Sequence, residues 1–137
     1  VVLYNRLYEP DIDLESMDYI PGDGISSPKE LHNSLRDVAM VAANVPLADI
    51  SVSTGVYTGA DAVKTLLAGA SSVQLYSALI KNGFGIINEM LEFIGAFMDR
   101  NTFDDIDDFR ALMNGKTRLD DEILERVQYM KYFPSEN

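Results

Sequence analysis

Residues 48 to 83, ADISVSTGVYTGADAVKTLLAGASSVQLYSALIKNG, constrain the fold more than any other stretch of this chain. Two short β-branched runs, Ile50 to Ser53 and Ser72 to Tyr76, flank one amphipathic segment, and each run stops at small, polar or glycine residues. The pattern is strand, helix, strand. Thr58 is placed to cap the helix with Asp61 as its reciprocal partner three residues on, and Gly69 falls where a left-handed residue ends a helix. Ala62, Val63, Leu66 and Leu67 make its apolar face. Such a unit crosses over right-handed, so the two strands are expected to be parallel neighbours with the helix packed on one side.

What surrounds this unit is bounded by length and charge. A chain of 137 residues, 47% hydrophobic, is long enough for one core. A net charge of -11 with no basic patch argues against nucleic acid or an anionic membrane surface as partner. There is no cysteine, so disulfides, thiolate metal sites and thiol nucleophiles are excluded. No apolar run approaches the roughly 18 residues of a membrane span, and no signal peptide opens the chain, so a cytoplasmic protein is expected. The first residues, Val1-Val2-Leu3-Tyr4, are continuously apolar and read as a core strand of a parallel sheet, as though the chain starts inside a fold.

Asn5 and Arg6 then stand at the C-terminal end of that strand, where open α/β sheets and barrels meet their ligands. Residues 7 to 25 lose periodicity and carry the turn formers Pro10, Pro21, Gly22 and Gly24, with Ile12 and Leu14 alternating as in a short hairpin arm. A loop of this length is either a lid or a surface excursion. Ser26-Ser27-Pro28-Lys29-Glu30 is a helix start, with a serine cap, proline at the first position and glutamate at the third. The helix is expected to reach Asn44 with Leu31, Leu35, Val38, Ala39 and Ala42 inward. His32 lies off that face and reads as an inert surface residue, and Arg36 as an ordinary local ion-pair partner.

Beyond the second strand, Tyr76 to Leu79 turn into a short helix broken by Gly83 and Gly85. A long helix from Ile86 to Arg100 follows, its stripe being Ile86, Ile87, Met90, Leu91, Ile94, Phe97 and Met98. Asp104, Asp105, Asp107 and Asp108 lack the glycine and closing glutamate of a calcium loop, so they are read as caps of a helix over Ile106 to Met113 and no metal site is expected. Ile123, Val127 and Met130 mark a last helix within residues 120 to 132. Residues 101 to 137 thus form a helical extension.

Counting gives three βα units, too few to close a parallel barrel of eight, which takes about 250 residues. The expected fold class is therefore α/β, the C-terminal portion of a TIM (β/α)8 barrel covering residues 1 to 137. The last two βα loops of such barrels commonly hold phosphate on backbone N–H groups. Here those loops are Ser53-Thr54-Gly55-Val56 and Tyr76-Ser77-Ala78, where Gly55 permits close backbone approach and Ser77 heads the short helix.

The residues also carry a family resemblance. GASSVQLYSALIKNG (Gly69 to Gly83), preceded by STGVYTGADAVKTLLA, resembles the FMN-phosphate region of dihydroorotate dehydrogenases, and the likeness extends over nearly the whole chain. LYNRLYEPDIDLE and ERVQYMKYF resemble bacterial dihydroorotate-dehydrogenase-like proteins. The resemblance implies that Asn5, with Arg6 beside it, meets a dihydroorotate-like substrate. It implies further that Ser26-Ser27, Thr54-Gly55 with Val56, and Tyr76-Ser77 contact FMN. Ser27 and Thr54 stand where the family has glycine, and Arg6 where it has a small serine or threonine. Arg6 is thus placed either to fork onto a substrate anion or to pair locally with Glu9 or Asp11.

The expected function is part of an FMN-dependent oxidoreductase that oxidises dihydroorotate to orotate in pyrimidine biosynthesis. The general base and the flavin-contacting lysine of the family lie on earlier strands, so these residues alone are expected to be inactive. A homo-oligomer is expected from the apolar edge such a portion exposes. Two alternatives stay open, a flavin-free barrel enzyme binding a phosphorylated substrate and a degenerate barrel serving as a binding module.

Overall fold

The structure is a computed structural model that describes residues 1–3, 10–22 and 24–114. Its element order is β1 (Val2–Leu3), β2 (Pro10–Asp13), β3 (Asp18–Pro21), a 3-10 turn (Pro28–Glu30), α1 (Leu31–Asn44), β4 (Ser51–Val52), α2 (Gly59–Ala68), β5 (Ser72–Val73), α3 (Ser77–Asn82), α4 (Gly85–Asn101) and a second 3-10 turn (Ile106–Asp108). The last helix expected from the sequence, within 120 to 132, lies outside the described residues.

Strands β1, β4 and β5 form one parallel sheet in sequence order, with Val2 opposite Ser51, Leu3 opposite Val52, and Ser51 and Val52 opposite Ser72 and Val73. The parallel order agrees with the strand, helix, strand reading, but each ladder is only two residues long, shorter than the apolar runs suggested. The central strand is the buried one, with Ile50 and Val52 fully inaccessible. The outer strand corrects an expectation. Val1 and Val2 are 72% and 52% exposed, because β1 is an edge with a neighbour on one side alone among the described residues.

The predicted start at Ser27 and Pro28 forms, but as a 3-10 turn over Pro28–Glu30 that leads into α1 at Leu31. The Ser27 N–H donates to Glu30 Oε1 at 2.7 Å, closing the first turn after Pro28. The buried face of α1 is Leu31, Ser34, Val38, Ala39 and Ala43, with Leu35 and Ala42 half-buried and His32 and Arg36 exposed. Helix α2 carries the complete capping box: the Asp61 N–H donates to Thr58 Oγ1 at 3.2 Å and the Thr58 N–H to Asp61 Oδ2 at 3.0 Å. Gly69 closes it at φ 117°, where an added Cβ would meet the Ala42 Cβ at 2.5 Å. Glycine is needed there both for its dihedral and for the approach of α1.

Helix α4 packs on α2, and α2 on α1. Ile86 and Met90 are buried in the main core and Ile94, Phe97 and Met98 are half-buried, but Ile87 and Leu91 are exposed. The apolar stripe is therefore wider than the surface that the described residues cover. A second small core gathers Val63, Leu66 and Phe109, where the Phe109 ring meets Phe97 edge-on at 5.3 Å and stacks on Phe103 at 5.5 Å.

The acidic cluster does cap, but not an α-helix. Asp105 Oδ1 accepts from the Asp107 N–H, and Asp108 Oδ2 from the N–H groups of Asp104 and Asp105, around a single 3-10 turn. The expected helix to Met113 does not form, because Ala111 takes φ 63° and residues 111 and 113 donate instead to the carbonyls of Leu66 and Leu67 at the end of α2. Strands β2 and β3 make the antiparallel hairpin expected from Ile12 and Leu14, its tip held by Asp13, which accepts from the Glu15 N–H and the Ser16 hydroxyl.

Candidate functional site

Three loops leave the elements at the C-terminal ends of the strands: residues 24 to 27 before α1, residues 53 to 58 between β4 and α2, and residues 74 to 76 between β5 and α3. They are short and free of Asp, Glu, Lys and Arg. Their meeting is built from hydrogen bonds that the sequence does not reveal. The Ser26 N–H and the Ser26 hydroxyl both donate to Ser77 Oγ, each at 2.9 Å and across 51 residues of chain. The Tyr57 hydroxyl donates to the Ser26 carbonyl. All three residues are buried, so each bond forms in a medium where an unpaired polar group is costly.

Thr54 is buried and is not among the residues with positive φ, so threonine here keeps an ordinary backbone. Its carbonyl accepts a long bond, 3.4 Å, from the Ser34 hydroxyl of α1. Gly55 does take φ 82°. Its open side, however, faces the protein: an added Cβ would lie 2.3 Å from the Leu31 nitrogen and 3.0 Å from the Glu30 carbonyl carbon. The close approach that requires glycine is thus to the first turn of α1. Val56 is buried in the core beside Tyr57 and Ala78. Tyr76 is 66% exposed and precedes α3.

Of the predicted site residues, Ser26, Ser27, Thr54, Gly55, Val56 and Tyr76 therefore stand on three adjoining loops, and Ser77 is the first residue of α3. Asn5 and Arg6 lie outside the described residues. Sequence reasoning missed Tyr57 and Ser34, which join these loops to one another and to α1. The available signal was a large aromatic in an otherwise small-residue loop and a serine on the inward face of a helix. A separate cleft of about 300 Å³, lined by Asp49, Ser71 and Arg110 among others, lies at the opposite end of the strands and shares no residue with this site. Among the described residues no group of acidic, histidine or cysteine side chains is placed to hold a metal ion, and no helix is long and apolar enough to cross a membrane.

The chain is similar to known proteins. The family model for dihydroorotate dehydrogenase matches residues 3–98. The catalytic subunit of dihydroorotate dehydrogenase B (NAD(+)) from Thermoplasma volcanium is 33% identical over 110 residues, which are 78% of this chain and 36% of that protein. The corresponding subunit from Pyrococcus furiosus is 33% identical over 89 residues, 65% of this chain and 29% of the relative. A quinone-type dihydroorotate dehydrogenase from Psychrobacter cryohalolentis reaches 47% over 45 residues, 33% of this chain and 13% of its own. Among solved structures, the dihydroorotate dehydrogenase of Eimeria tenella in complex with ferulenol superposes with a TM-score of 0.60 at 25% identity, covering 72% of this chain and 26% of that one. The chain spans about a third of the length of the two dihydroorotate dehydrogenase B subunits and less of the quinone-type relative. With the family model covering most of its residues, and with an α/β fold shared with solved members, this chain belongs to the dihydroorotate dehydrogenase family.

Proposed function

We propose that this chain is the C-terminal, cofactor-phosphate-binding portion of a (β/α)8 barrel oxidoreductase that uses FMN to oxidise a dihydroorotate-like substrate. The observation that carries the reading is the convergence of Ser26 and Ser77, joined at 2.9 Å, on loops that lie within the residues matched by the family model. The donor set suits a phosphate. The loops offer serine hydroxyls and small residues, and residues 24 to 27, 53 to 58 and 74 to 78 carry no carboxylate side chain to repel an anion.

In this reading Ser26, Ser27, Thr54, Gly55, Val56, Tyr76 and Ser77 line the FMN site, and Asn5 and Arg6 face the substrate. When bound, FMN accepts the hydride removed from the dihydropyrimidine. The chain's own part is to bind and orient: buried Ser26 and Ser77, joined to each other, hold their segments in one arrangement before the ligand arrives, so little ordering cost remains at binding. The proton-abstracting base is assigned to a strand outside these residues, and the protein is placed in the cytoplasm as a homo-oligomer.

The test is a titration of the purified protein with FMN, followed by quenching of flavin fluorescence. Saturable binding at one FMN per chain is expected, unaltered or tighter in Thr54→Gly because Thr54 already has a backbone that glycine tolerates. No binding at millimolar FMN overturns the reading. Turnover of dihydroorotate is expected only when the remaining barrel strands are supplied with this chain.

A further inference from the structure

Tyr57 is not among the residues proposed to touch a ligand, yet it ties the loop after β4 to Ser26. Its ring is buried and its hydroxyl donates to the main-chain carbonyl of Ser26, 31 residues away in sequence. The Lys81 ammonium lies 5.1 Å from the ring centroid, so the side chain is held from the α3 side as well. A buried phenol seeks one acceptor, and this one fixes the Ser26 peptide. Ser26 in turn brings both its N–H and its hydroxyl to Ser77 Oγ, each at 2.9 Å.

A serine hydroxyl has two lone pairs and one proton. The Ser26 N–H can only donate, so it takes one lone pair of the Ser77 hydroxyl, and when the Ser26 hydroxyl donates to the other the Ser77 proton is left for a ligand. We propose that Tyr57 is a positioning residue for the cofactor phosphate, acting through Ser26 to commit the Ser77 hydroxyl to donating its proton to a phosphate oxygen. This rests on the FMN reading given above. It goes beyond that reading in naming a residue that touches no ligand, and in fixing which way the Ser77 hydroxyl is used.

The experiment compares FMN with riboflavin, which lacks the phosphate, in wild-type protein and in Tyr57→Phe, Ser77→Ala and the double variant. Tyr57→Phe is expected to weaken FMN about tenfold and to leave riboflavin unchanged, and to add nothing in the Ser77→Ala background, because the effect passes through the Ser77 hydroxyl. Equal weakening of both flavins marks a merely structural tyrosine and overturns the inference, as does an additive loss in the double variant. If Tyr57→Phe does not fold, 3-fluorotyrosine placed at position 57 alone, which keeps the phenol and changes its donor strength, carries the same comparison. A wild-type protein that binds no FMN overturns the underlying reading and this inference together. Tight FMN binding that Tyr57→Phe leaves unchanged overturns this inference alone.

Discussion

An added Cβ on Gly55 would lie 2.3 Å from the main-chain nitrogen of Leu31 and 2.7 Å from its Cα. The loop after β4 is therefore pressed against the first turn of α1, and a side chain at Gly55 must push backbone. Because φ is also 82°, Gly55→Ala combines left-handed strain of about 1–2 kcal/mol with overpacking of about 1–3 kcal/mol. Urea unfolding is expected to show a loss of roughly 2 kcal/mol or more on those two costs, and an unchanged midpoint would contradict the packing described.

Gly59 opens α2 where α4 crosses it, and a Cβ there would fall 2.4 Å from the Cβ of Phe93. Cβ is not the movable end of the Phe93 side chain, so the helices themselves must part. Gly59→Ala is expected to destabilise the protein by about 1–3 kcal/mol. Shortening Phe93 to alanine keeps the offending atom, so the double variant should recover little of the loss in the same unfolding measurement.

The capping box of α2 gives a smaller effect. Thr58→Ala removes the acceptor of the Asp61 N–H and is expected to cost about 1 kcal/mol. Thr58→Ser restores the acceptor and should recover most of it. Equal thermal midpoints for wild type and Thr58→Ala would rule out an energetic role for the cap.

Phe109 has 0% exposure and anchors residues 103 to 114 against α2 and α4. Truncation to alanine should cost about 3–5 kcal/mol. Limited proteolysis is expected to cut after residue 103 in Phe109→Ala and not in wild type. Resistance of the variant to protease would mean that the ring cluster is not what holds this segment.

Asp13 predicts a pH dependence at the hairpin. The Glu15 N–H, and then the Ser16 hydroxyl, stabilise its charged form and draw its pKa below the ordinary aspartate value. A depressed folded pKa means that the tip is stabilised above the unfolded pKa and loses that stabilisation as pH falls through the folded one. Carboxyl NMR titration should show Asp13 with a midpoint below the usual aspartate range, moving upward in Ser16→Ala. A midpoint at the ordinary value would remove the turn as a source of order.

How much was legible in advance follows from how local each cause is. The order and parallel sense of β1, β4 and β5, the capping box of Thr58 and Asp61, the left-handed Gly69 and the capped turn from Ser27 that leads into α1 were all determined by the sequence alone. Each depends on residues a few positions apart, or on the rule that a strand, helix, strand unit returns parallel. The family motif was likewise legible, since it is a run of contiguous residues. Three features were decided only by the tertiary structure. The burial of β1 depends on having a neighbour on each side, so an apolar run could not reveal that Val1 and Val2 stand exposed. The segment after Asp105 ended as a 3-10 turn because the amides of Ala111 and Met113 found carbonyls at the end of α2, more than forty residues back in the chain. The reason for Gly55, and the joining of Ser26, Tyr57 and Ser77, rest on contacts between loops that meet in space alone: the dihedral need of a glycine is local, but what its missing side chain makes room for is not.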